Sequence, residues 1–128
     1  MIECLNKKEK VEGYVDGKQY LDKKKRLQGF LEQNSVKDKN GYILLILREN
    51  NVITLNEELE YEEMGYLKEN KIYNKNNGLI FEFLKDKREI LDRIGKIVLF
   101  LKGTANEIEK LNNIDFFGIA TIFLELFS

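Results

Sequence analysis

Ile114-Asp115-Phe116-Phe117-Gly118-Ile119-Ala120-Thr121-Ile122-Phe123-Leu124-Glu125-Leu126-Phe127 is among the longest apolar stretches of the chain, and it reads in two ways. As a strand, Ala120, Ile122, Leu124 and Leu126 share one face, and Thr121, Phe123, Glu125 and Phe127 share the other. As a helix, Ile119, Ile122, Phe123 and Leu126 align. Its β-branched and aromatic content favours the strand. Such a strand is apolar on nearly both faces and needs cover on both, from helices of the chain or from a second protomer.

Upstream of it, Thr104-Ala105-Asn106-Glu107 has capping-box spacing, so a short helix starts at Ala105. Lys96–Lys102 is a strand with a wholly apolar middle, and Asp86–Ile94 reads as a short helix ended by Gly95. Lys71–Asn74 and Leu79–Leu84 flank Asn77-Gly78 as a hairpin. Asn56 caps an expected helix over Glu57–Glu69, with Glu57 and Glu58 in its first turn, where the helix dipole favours negative charge.

Tyr42–Arg48 and Val52–Leu55 form a hairpin about Glu49-Asn50-Asn51. Another runs from Lys10–Val15 through Asp16-Gly17 to Lys18–Leu21, and Leu27–Gln33 adds a strand. No internal repeat stands out. The expected fold is α+β, one domain over 1–128. In it a mainly antiparallel sheet of hairpins carries two or three short packed helices, with the basic first third at an edge and the apolar last third at the centre.

The chain has 128 residues, 43% hydrophobic and 34% charged, which is enough for one buried core and a well-solvated surface. Its net charge of −1 argues against a protein that wraps DNA or is steered to membranes. Cys4 is the only cysteine, so no disulfide closes within the chain, and a reducing, cytoplasmic setting is expected. No apolar run reaches the roughly 20 residues of a spanning helix, and no membrane association is expected. Lysine, asparagine and isoleucine together supply 43 of the 128 residues. Their A/T-rich codons point to an AT-rich bacterium or its phage.

Histidine is absent, which removes the commonest general base and the commonest transition-metal ligand. One cysteine makes no thiolate zinc site, and no phosphate-cradling or nucleophile-elbow motif occurs. No catalytic residue, metal or cofactor is expected.

Two charged segments remain. Glu49–Glu63 holds six glutamates and no Lys or Arg. Within it and just beyond it, Glu57, Glu58, Glu60, Tyr61, Glu62, Glu63 and Tyr66 read as a docking surface. Carboxylates steer a cationic partner, and tyrosines add contact area at little entropic cost. The alternative for the same residues is a solvated helix face. Lys23, Lys24, Lys25 and Arg26 form a basic run, suited to phosphate contact or to a lysine-guarded strand edge.

The function expected first is a non-enzymatic protein–protein module that binds and inhibits a partner with a basic surface, such as a nuclease. Immunity proteins and phage-encoded anti-defence inhibitors are of this type. A nucleic-acid or nucleotide binder using 23–26 is the second expectation. A histidine-free enzyme acting on phosphates is the third. Homodimerisation fits the apolar C-terminal segment.

Overall fold

Asn6, Asp22, Asp38, Asn56, Asn74 and Asp92 all do the same thing. In each, one side-chain oxygen accepts the backbone N–H groups of the residues two and four positions on, at 2.8–3.1 Å. The residue three positions on is left-handed every time: Glu9, Lys25, Gly41, Leu59, Asn77 and Gly95. Asn and Asp make such turns because their short side chains mimic a backbone acceptor.

The computed structural model describes residues 1–128. Each of the six turns closes a hairpin. The hairpins are β1 (Ile2–Leu5) with β2 (Val11–Asp16), β3 (Gln19–Asp22) with β4 (Leu27–Glu32), and β5 (Ser35–Asp38) with β6 (Ile43–Arg48). They continue with β7 (Asn51–Leu55) and β8 (Tyr61–Lys68), β9 (Lys71–Asn74) and β10 (Leu79–Leu84), and β11 (Glu89–Asp92) and β12 (Ile97–Lys102). All neighbours are antiparallel, and β1 pairs with β12 through Cys4 and Leu101, closing a twelve-stranded barrel. The six Asx turns therefore share one rim, and the tight turns at Gly17, Gln33, Glu49 and Glu69 share the other.

The chain thus carries a sixfold repeat, its Asx residues 16 or 18 positions apart, which corrects the expectation of none. What repeats is turn chemistry and burial rather than residue identity. Cys4, Tyr20, Val36, Val52, Ile72 and Ile90 form one buried ring, and Val15, Leu31, Leu47, Leu67, Phe83 and Leu101 a second. Every Asx hairpin also carries one register shift, for example between Cys4 and Leu5, Tyr20 and Leu21, and Ile90 and Leu91. A bulge bends its strand and increases twist, so six of them supply the curvature that closes the wall.

Eight strands make a barrel that their own side chains fill, whereas twelve leave a lumen. Here the lumen holds the stretch 114–127. α1 (Ala105–Glu109) leads to α2 (Asn113–Phe123), which is buried from Asp115 to Ile122 and packs against β2, β4 and β6. Eleven residues of helix span about 16 Å, which matches strands of five or six residues. A helix surrounded by wall on every side is apolar all round, and that is why no single helical face stood out in the sequence. Gly13 and Gly29 lie where a side chain would meet Phe123 and Ile122, so the wall thins where the helix lies close.

This overturns the α+β expectation. The sheet is closed and has no edge for 23–26 to guard, and the apolar tail is not its central strand. The stretch 114–127 is not a strand at all, since its local β-propensity yields to burial inside the lumen. Glu57–Glu69 is not a helix but an Asx turn followed by β8. Asp86–Ile94 is a single 3₁₀ turn at Lys85–Lys87 followed by β11, and Gly95 is the left-handed turn residue. The capping box at Thr104 is present as read, and Asn112 with Asp115 forms a second one at α2. No helix is long and apolar enough to cross a membrane.

Candidate functional site

Five of the six repeats place the Asx residue two positions after the first-ring residue, as Val36 precedes Asp38. The fourth places Asn56 four positions after Val52, and Leu67 follows two positions later than the pattern requires. Counted from the buried rings, both arms of the β7–β8 hairpin therefore run two residues farther to the turn than in the other repeats. The turn stands about 6–7 Å beyond the common rim. Its sequence is Asn56-Glu57-Glu58-Leu59-Glu60, and its left-handed apex, Leu59, is 80% exposed.

The candidate acidic residues gather on this finger. Glu57, Glu58, Glu60, Tyr61, Glu62 and Glu63 are all exposed. The chain makes five salt bridges, and none involves these glutamates. The one cation resting on the finger is Arg48, whose guanidinium lies 4.8 Å from the centre of the Tyr61 ring, a cation–π contact. Tyr66 is placed differently. It is half-buried on the wall, stacks on Tyr73 with ring centres 4.9 Å apart, and donates its hydroxyl to Asn77 Oδ1 at 2.8 Å. The structure therefore joins six of the seven expected residues and commits the seventh to the wall.

The finger is flanked by exposed apolar side chains that the charge-based reading missed: Tyr42, Ile43 and Leu44 on the preceding hairpin, with Leu59 and Tyr61 on the finger itself. Just below them Ile46 and Ile53 are paired and buried, yet lie outside the main core cluster. The sequence signal for this surface was the lengthened fourth repeat, visible only once the other five are aligned.

Lys23, Lys24, Lys25 and Arg26 form the second Asx turn, and all four are exposed. Arg26 Nε donates to Asp22 Oδ2 at 2.9 Å, and Lys25 Nζ lies 5.3 Å from the centre of the Tyr14 ring. Hydrogen bonds from Arg26 and Lys24 hold the Asp22 carboxyl below its ordinary value, with the backbone N–H of Arg26 the largest contributor. Between this turn and the next lies an open cleft of about 540 Å³, lined by Lys23, Lys24, Arg26 and Lys39 but also by Glu12, Asp22 and Asp38. Such a mixture is a weaker phosphate site than the bare run suggested.

Cys4 is fully buried in the first ring, and burial pushes its thiol up to about 12. No group of three or more Cys, Asp or Glu side chains is placed to hold a metal ion. Comparison with protein-family models, with curated proteins and with solved structures gives no match.

Proposed function

We propose that this barrel is a non-enzymatic binding module that inhibits a macromolecular partner, using the acidic finger to enter a basic groove. Immunity proteins and phage-encoded anti-defence inhibitors work in this general way, and a nuclease is the fitting kind of partner. The reading rests on one observation: the fourth hairpin alone is lengthened, and it carries glutamates with no cation of the chain bridging them. Uncompensated carboxylates on a projecting element speed encounter with a cationic surface, and Leu59 and Tyr61 supply apolar contact once docked.

The test is an association-rate measurement against a panel of purified basic nuclease domains, comparing wild type with Glu60→Lys/Glu62→Lys/Glu63→Lys. For a true partner the variant slows association at least about tenfold at low salt, and added salt narrows the gap. Absence of binding to every member, or binding unaffected by the triple reversal, overturns the proposal.

A further inference from the structure

Closure of the barrel joins charges that the sequence keeps far apart. The six Asx turns follow chain order round one rim, and the pairing of β1 with β12 sets the sixth turn beside the first. The sixth, Asp92–Lys96, carries Arg93 and Lys96 against one aspartate, a formal +1. The first, Asn6–Lys10, carries Lys7, Lys8 and Lys10 against Glu9, a formal +2. The second, Asp22–Arg26, carries four cations against one aspartate, a formal +3. These three neighbours form one arc of +6, and the run 23–26 is only its end.

All nine cations of the arc are exposed, and only Arg26 makes a salt bridge, to Asp22. Glu12 adds a carboxylate beside the first turn, where Asn6 Nδ2 donates to it at 2.8 Å. The acidic finger does not neutralise the arc. It is the fourth of six turns, diametrically opposite the first. Twelve strands about 4.8 Å apart and tilted about 40° close at a radius of about 12 Å, which puts the finger at least about 20 Å from every turn of the arc. That is more than twice the screening length of about 8 Å at physiological salt. Within the mouth the tail adds Glu125. Phe127, two residues on, packs against Gly65 of β8, on the finger's side.

Aromatic surface lies below the cations. A cleft of about 520 Å³ opens between the first turn and β12, with Leu5, Ile97 and Phe100 in its lining and Lys7 and Lys102 beside them. Phe100 is half-buried and faces out of the wall, since Leu99 and Leu101 on either side of it face in. On the other side of the first turn, Lys25 Nζ lies over the half-buried Tyr14 ring. A basic track with rings beneath it suits a single-stranded nucleic acid, whose phosphates follow the charge and whose unpaired bases stack on the rings. A duplex keeps its base faces to itself. The span also fits. Adjacent Asx turns are about 12 Å apart along the rim, so the arc runs about 25 Å. That matches the short end of the roughly 4–16 nucleotides that small single-strand-binding domains cover.

We infer that the arc of the sixth, first and second turns binds single-stranded nucleic acid, with phosphates against Arg93, Lys96, Lys7, Lys8, Lys10 and the run 23–26, and a base against Phe100. The surface is separate from the finger and uses none of its residues.

Fluorescence polarisation of the purified full chain with a labelled oligothymidylate of about 12 nucleotides tests it. Wild type binds at low salt, and log affinity falls with log salt at a slope of about −2 or steeper, as contacts to about three phosphates require. Lys7→Glu/Lys8→Glu/Lys10→Glu and Arg93→Glu/Lys96→Glu each lower affinity at least about tenfold. Lys68→Glu/Lys87→Glu, exposed at the opposite rim, changes the net charge as much as the second variant does and leaves affinity within about twofold. Phe100→Leu lowers affinity at least about fivefold with the salt slope unchanged, and Phe100→Tyr restores it. Circular dichroism checks that the barrel persists in each variant. No binding at low salt overturns the inference, while the nuclease panel still judges the finger. Equal losses in the arc and opposite-rim variants also overturn it, as does a Phe100→Leu chain that binds as tightly as wild type. Tighter binding of the matching duplex, or binding to phosphatidylserine vesicles in place of the oligonucleotide, overturns it too.

Discussion

Lys18 Nζ donates to Asp115 Oδ1 at 2.7 Å, tying the tight turn between β2 and β3 to the first turn of α2. Asp115 is buried, and its other oxygen accepts the backbone N–H of Asn112 at 3.0 Å. One carboxylate thus caps the helix and fixes its depth in the lumen, at the rim opposite the finger.

The two partners contribute unequally. Asp115→Ala removes the cap and leaves the Asn112 N–H without its acceptor, so it should cost about 2 kcal/mol. The Lys18 side chain is more than half exposed, and Lys18→Met should cost about 1 kcal/mol or less. Urea denaturation of both variants checks the order. Equal losses would mean that the ion pair, not the cap, holds the helix.

Gly65 sits where a Cβ would collide with the Tyr73 carbonyl and lie 2.8 Å from the Phe127 ring. Backbone cannot yield as a flexible side chain can. Gly65→Ala should therefore destabilise by about 1–3 kcal/mol or more. Gly17→Asn is the control. Its site is open, and Asn tolerates the left-handed φ of 62°, so the midpoint of thermal unfolding should hardly move.

Alkaline pH should unfold the barrel from within. Burial raises the Cys4 thiol from 9.0 to about 12 and raises the Tyr20 hydroxyl as well. Both groups stay protonated in the folded chain when the unfolded chain would ionise, so the unfolded state holds fewer protons and stability falls as pH rises above 9. Below that pH their contribution is constant. Denaturation midpoints between pH 7 and 11 measure the decline, and Cys4→Ala should flatten part of it. In native protein at pH 8 a thiol reagent should react with Cys4 only at the rate of opening.

Much of the local structure was legible. The strands at Leu27, Tyr42, Lys71, Leu79 and Lys96 announce themselves by composition and turn residues, and the Thr104 box by its spacing. The glutamates and lysines were picked out by charge alone. Segment 57–69 misled because Asn followed by two glutamates is as good a helix start as it is an Asx turn, and only pairing with β7 and β9 selects the turn. The repeat escaped because its left-handed position is filled by Glu, Lys, Gly, Leu, Asn and Gly, which share a backbone conformation but no chemistry.

By itself, then, the sequence determined the hairpins about Asp16-Gly17, Glu49-Asn50-Asn51 and Asn77-Gly78 and the sign of each charged segment, because these depend on groups a few residues apart. Tertiary structure alone decided that the sheet closes, that most of 114–127 belongs to the helix Asn113–Phe123, and that the acidic turn outreaches its neighbours. Closure needs β1 to meet β12 across nearly the whole chain. The twelve-stranded lumen then rewards a shape apolar on every side, and in such a cavity a helix satisfies its own backbone where a lone strand could not.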